Sequence, residues 1–89
     1  MEDAEKLKSH VGKRIAELRE RQGLTQANVS EVMGTTVPNL QRIEYGMQNI
    51  TIETLTKIAN AIGVKVRDFF GEIEDPKARR GRGRPKKNP

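Results

Sequence analysis

Cysteine is absent from the 89-residue chain, which excludes disulfides and thiolate metal sites. Histidine occurs once, at His10, and one imidazole cannot hold a metal by itself. No apolar run approaches the roughly 20 residues that a membrane helix needs. The N-terminus is acidic and lacks a signal-peptide pattern, so a soluble, cytoplasmic protein is expected. There is no internal repeat and no alternation of the kind that marks strands. A Ser/His/Asp set, a phosphate-cradling loop and a metal-ligand cluster are all missing, so the chain is read as a non-enzyme with no cofactor and no metal. The triplets Asn28-Val29-Ser30 and Asn49-Ile50-Thr51 match a glycosylation site by chance, since nothing in the chain suggests a secretory route.

What is present is charge, unevenly placed. Residues 1–71 hold ten Lys/Arg and nine Asp/Glu, a net of +1. Residues 72–76 carry Glu72, Glu74 and Asp75, a net of −3, and residues 77–89 carry seven basic residues and no acid, a net of +7. Together these give the +5 of the whole chain. A basic tail on a nearly neutral domain points to a polyanionic partner contacted separately by the tail; a solvated tail that aids solubility is the plainer alternative. The length argues for one domain, and a unit of about 70 residues can fold alone around a small core.

The remaining residues read as helices. Residues 1–10 are an N-terminal extension or the start of helix 1, capped by Asp3 or by Ser9. Leu7, Val11, Ile15 and Leu18 recur at helical spacing to about Gln22. Gly12, inside this helix, costs roughly 1 kcal/mol against alanine, and Gly23 ends it. Thr25 is the natural N-cap of helix 2, about residues 25–33, with Asn28 where a capping box wants Glu or Gln, so half of that motif is expected. Val29 and Met33 face inward, and small Ser30 permits close helix approach. Gly34 makes the turn. Helix 3, about residues 36–45, starts at Thr36, with Val37 and Pro38 in a first turn that tolerates proline. Leu40 and Ile43 face the core, and Gly46 stops the helix. Thr51 caps helix 4, whose inward face is Ile52, Leu55, Ile58, Ala59 and Ile62. After Gly63, residues Val64, Val66, Phe69 and Phe70 form a short closing helix. The expected fold is all-α with five helices over residues 11–71, then a linker at 72–80 and a basic tail at 79–89 that reads as disordered.

Taken together, GKRIAELRERQGLTQ, VSEVMGTTVPNLQRIEYG and TIETLTKIANAIGV closely resemble the Cro/phage-repressor type of helix-turn-helix domain, from about Val11 to Phe70. The markers are Gly23-Leu24-Thr25-Gln26, Gly34, Ile43-Glu44 with Gly46, Lys57-Ile58-Ala59 and Ile62-Gly63-Val64. The resemblance implies double-stranded DNA as partner, at the nucleoid. Helix 3 would enter the major groove while helix 2 crosses the backbone. Base contacts would then come from Val37, Pro38, Gln41 and Arg42. Arg42 would donate to guanine and Gln41 would pair with adenine, while Val37 and Pro38 pack on thymine methyls. Backbone contacts would come from Gln26, Thr36, Asn39, Tyr45, Gln48 and Asn49. An arginine late in helix 1 pairs with a glutamate late in helix 3 in this family, which here means Arg19 and Glu44. Relatives dimerise near the end of the fold, which marks Val66, Phe70 and Ile73, with Phe69 folded inward.

In the tail, Arg82-Gly83-Arg84-Pro85 with basic flanks resembles an AT-hook, which binds the minor groove of A·T-rich DNA. That groove is narrow and strongly negative, which attracts arginine, and the glycine lets the backbone sit deep in it. A generic basic tail that binds any phosphate backbone and an RGG-like tail that binds RNA are the alternatives. The resemblances together imply a homodimeric, sequence-specific transcriptional regulator, such as a repressor or the controller of a restriction–modification operon. An antitoxin, with a toxin as protein partner, and a nonspecific architectural DNA-binding protein are the alternatives. A polymerase would be a further protein partner.

Overall fold

The structure is a computed structural model, and it describes residues 2–72. Four α-helices follow in order: α1 (Ala4–Arg21), α2 (Gln26–Met33), α3 (Val37–Glu44) and α4 (Ile52–Ile62). No strand occurs among the described residues. No helix there is long and apolar enough to cross a membrane. The fifth element differs from the helix expected. Val66–Phe70 is a single 3-10 helix of five residues, closed at both ends by local bonds. The Lys65 N–H donates to Asp68 Oδ2 at 3.0 Å, and the Gly71 N–H donates to the Asp68 carbonyl at 3.3 Å. Too few residues remain between the caps to propagate α-helical bonds.

Each helix begins where a side chain satisfies the first free N–H groups. Asp3, not Ser9, caps α1, accepting from the Glu5 and Lys6 N–H groups at 2.9 and 3.2 Å. Residues 4–10 are therefore helix rather than extension. At α2 the capping box is complete, contrary to the half motif expected. Thr25 Oγ1 accepts from the Asn28 N–H at 2.9 Å, and Asn28 Oδ1 accepts from the Thr25 N–H at 3.0 Å. The shorter amide spans the gap as well as Glu or Gln would. Thr36 and Thr51 cap α3 and α4 through the Asn39 and Thr54 N–H groups.

The core is Val11, Ile15, Leu18, Val29, Leu40, Ile43, Leu55, Ile58, Ala59, Ile62 and Phe69. Two residues expected inside are not. Ile52 is 71% exposed, because it is the first residue of α4 and the packed part of that helix starts one turn later, at Leu55. Leu7 is 40% exposed, since α1 runs on past the elements that cover it from Val11 onward. Phe69 is fully buried, which contributes about 1.5–3 kcal/mol. The closing turn is held to α1 by two further bonds to its carbonyls. Arg14 Nε donates to the Asp68 carbonyl at 2.8 Å, and His10 Nε2 lies 2.6 Å from the Gly71 carbonyl. His10 is thus half-buried in a structural bond rather than simply on the surface.

Two glycines set how closely α1 and α3 pack. A Cβ at Gly12 would lie 2.6 Å from the Ile43 carbonyl oxygen and nearer still to that of Glu44. Gly46 has a φ of 73° and packs so tightly on α1 that a Cβ there would lie 2.7 Å from the Ser9 Cα. The end of α3 therefore rests directly on the backbone of α1.

Candidate nucleic-acid interface

The α2–turn–α3 unit is assembled from buried contacts on one side and leaves the other side of α3 open. Val29 and Ser30 of α2 are buried, as are Leu40, Ile43 and Glu44 of α3. The Thr35 N–H bonds to the Ser30 carbonyl at 2.9 Å across the turn. The Ser30 hydroxyl is buried without a hydrogen-bond partner among the described residues, so small size is what this position contributes. Neither α2 nor α3 has an acid in its first turn, whereas α1 has Glu5 and α4 has Glu53. The helix ends of the motif thus carry no acid of their own, and a helix N-terminus favours an approaching anion.

A chain of side chains runs from α1 through α3 to α2 and back to the outer face of α3. The Arg19 guanidinium grips the Glu44 carboxylate with two donors, Nε to Oε2 at 2.8 Å and Nη2 to Oε1 at 3.2 Å. A third donor, Nη1, goes to the Leu24 carbonyl at 2.8 Å. Both side chains are nearly buried, at 10% and 4% exposure, so the pair anticipated from the resemblance is a desolvated, two-pronged contact. Glu44 Oε1 also accepts from Gln26 Nε2 at 2.9 Å. Gln26 Oε1 in turn accepts from Gln41 Nε2 at 3.3 Å. A carboxylate only accepts, so Glu44 turns the Gln26 amide with its NH2 inward, and that turns the Gln41 NH2 toward Gln26. The pattern is not visible locally, because Gln26 and Glu44 are 18 residues apart.

The remaining residues of interest divide into free and engaged. Arg42 and Pro38 are exposed, and Arg42 makes no ion pair among the described residues. Val37 is half-buried. Tyr45, the C-cap of α3, is 69% exposed. Thr36 spends its hydroxyl on its own helix. Asn39 uses both ends of its amide internally: Nδ2 donates to Thr35 Oγ1 at 2.9 Å, and Oδ1 accepts from Gln48 Nε2 at 3.0 Å. This bond ties the loop after α3 to the helix, and Ile50 packs the same loop against the core. Asn49 Oδ1 accepts from Lys8 Nζ at 3.4 Å, a neighbour that local sequence gave no sign of. At the far end of the fold Val66 is half-buried and packed against the core, while Phe70 is 50% exposed. Ile73, Arg82, Gly83, Arg84 and Pro85 lie outside the described residues.

Comparison with known proteins agrees with this geometry. A model of the helix-turn-helix family matches residues 15–69. Over 65 residues the chain is 37% identical to the HTH-type transcriptional regulator PuuR of Escherichia coli, a match covering 73% of this chain and 35% of that regulator. The chain thus spans about a third of the length of that curated relative. The restriction-modification controller protein C.AhdI of Aeromonas hydrophila superposes with a TM-score of 0.67 at 27% identity, over 70% of this chain and 94% of that one. A transcriptional regulator of the same family from Vibrio cholerae superposes with a TM-score of 0.71 at 29% identity, over 76% of this chain and 38% of that one.

Proposed function

The chain belongs to the helix-turn-helix family, and from that premise we propose that it is a sequence-specific transcriptional regulator that binds DNA as a homodimer. In this reading α3 lies in the major groove. The observation that carries it is the contrast on α3 between a buried, locked side and an outer side whose arginine has no ion-pair partner among the described residues. Arg42 is exposed, and its planar fork suits the two acceptors of guanine. Gln41 reads beside it, in the orientation set by Gln26. Val37 and Pro38 pack against thymine methyls. Gln26, Thr36, Asn39, Tyr45, Gln48 and Asn49 line the approach to phosphates, with Asn39 and Gln48 acting as a bonded bracket more than as free donors. The place of action is the nucleoid, in the cytoplasm.

The dimer surface in this proposal is Val66, Phe70 and Ile73. Two copies would set their α3 helices about 34 Å apart, on a near-palindromic site. The tail adds a minor-groove contact through Arg82, Gly83, Arg84 and Pro85. A linker of nine residues reaches at most roughly 30 Å, and tethering the second contact raises affinity through effective concentration. A second reading, control of a restriction–modification operon, is favoured by one observation. The likeness to C.AhdI extends over 94% of that controller's chain.

The test is selection of bound duplexes from a random pool, with the full chain and a form lacking residues 77–89 in parallel. The full chain should enrich a two-fold related site, and the shortened form should lose preference for A·T-rich flanks. Arg42→Ala should weaken the selected site by about 1–3 kcal/mol and relax one position of it. Enrichment of no common site would overturn the reading.

A further inference from the structure

We propose that Lys8, on the second turn of α1, is a phosphate-contacting residue of the DNA interface and the residue that orients Asn49 for the same contact. This rests on the reading of α3 and its following loop as the DNA face. The starting point is the close packing at Gly46. There the backbone after α3 lies against Ser9 and the Lys8 carbonyl carbon, so the first turns of α1 are carried alongside the loop. The loop is fixed to α3 by the Gln48–Asn39 bond of 3.0 Å. Lys8 therefore keeps its place relative to the recognition helix, although 41 residues separate it from Asn49.

The chemistry of the contact follows from its donors. Lys8 Nζ lies 3.4 Å from Asn49 Oδ1 and 3.0 Å from Glu5 Oε2. An ammonium has three donors, so a third remains after these two bonds. Because Asn49 accepts from Lys8 through its oxygen, its NH2 group is turned away from the ammonium. That group only donates, which is what a phosphate oxygen takes up. A cation and an amide donor are thus held close to each other on the loop edge, and both can donate to phosphate oxygens.

Glu5 is the partner that gives way. Its side chain is 79% exposed, whereas that of Lys8 is 23% exposed. A solvent-facing pair of this kind contributes little. Neutralising a phosphate, by contrast, releases condensed counterions. Residues 1–71 carry a net charge of only +1, so a cation held at the edge of the motif weighs heavily in the attraction of the folded part for DNA.

The experiment measures binding of the full chain to its selected duplex and to a scrambled one across a range of salt concentrations. Lys8→Gln should reduce the slope of log K against log salt by about 0.9 for each bound chain, about 1.8 for a dimer on both half-sites, and weaken both duplexes by the same factor. Lys8→Arg should keep the parent slope, because the charge is retained, whereas a merely structural role would leave the slope unchanged in Lys8→Gln as well. Glu5→Gln should tighten both duplexes, because it removes the competing acid. Arg42→Ala is the reference, and should lower the preference for the selected duplex. If Lys8→Gln keeps the parent slope while Arg42→Ala loses preference, the Lys8 contact is overturned and the interface stands. If the parent shows no preference between the duplexes, the interface reading fails, and the Lys8 contact with it.

Discussion

Glu44 holds the motif together through one carboxylate. Its two oxygens take two donors from Arg19 and one from Gln26, and at 4% side-chain exposure it has little water to fall back on. Replacing it with alanine would leave the Arg19 guanidinium nearly buried. The Leu24 carbonyl and the exposed Glu20, 3.6 Å away, would be its remaining partners. Removing one member of a buried pair costs about 3–5 kcal/mol, much of it from the charge left behind. Glu44→Ala should therefore lower the free energy of unfolding read from urea titration by that amount, as a lowered midpoint at an unchanged slope. Glu44→Met combined with Arg19→Met should be more stable than Glu44→Ala alone, since replacing both ions with apolar groups of similar volume is often nearly neutral. A double variant no more stable than the single one would show that the pair's worth lies in its geometry instead. The same substitution also frees Gln26, and through it Gln41, so any reading of bases by α3 is sensitive to a residue that never reaches the groove.

At the scale of elements, the crossing of α1 over α3 decides where the outer face of α3 points. Gly12 is the residue that permits it. On helix propensity alone Gly12→Ala would stabilise α1 by about 1 kcal/mol. The Cβ would, however, meet the Ile43 and Glu44 carbonyls, and these are backbone groups that cannot rotate away. Overpacking of this kind typically costs about 1–3 kcal/mol, so the net effect should be a lowered unfolding midpoint rather than a raised one. A raised midpoint would mean that α1 and α3 do not pack as closely as described. This residue also shows what was and was not legible beforehand. The four α-helices could be read because apolar period and caps are local signals. Thr25, Thr36 and Thr51 announce their helices, and Leu40 and Ile43 announce the buried side of α3. Gly12 reads locally as a flaw, because its partner lies about thirty residues away. Ile52 and Leu7 fit the apolar period yet stay exposed, since periodicity does not say where a covering element ends. In the interface the outer face of α3 follows from helical phase. Which of its amides are already engaged does not, because the bonds of Gln41, Gln26 and Asn39 depend on chain segments brought together only by folding.

For the whole molecule, the question is how one small domain would read a site of two halves. Phe69 and Phe70 are adjacent, and the 3-10 turn sends them opposite ways, one fully buried and the other 50% exposed. Half of a large aromatic is left in water on a turn packed against α1, and in the proposed dimer this is what a second copy of the chain would cover. The turn does not depend on this ring for its own position. It is fixed by Phe69 in the core and by Arg14 and His10 bonding to the Asp68 and Gly71 carbonyls, which a substitution at Phe70 leaves in place. Phe70→Asp should therefore fold with an unfolding midpoint close to the parent's. In the dimer proposed above, a buried unpaired carboxylate at the partner contact would be costly, so sedimentation should show the mass of one chain for the variant and of two for the parent. Binding should change in a matching way. A duplex with both half-sites should lose the gain that comes from joining two readers, while a duplex with one half-site should bind parent and variant alike. An unchanged mass would place the dimer contact elsewhere on the molecule. A monomeric variant that bound the full site as tightly as the parent would mean that one α3 helix is sufficient for recognition.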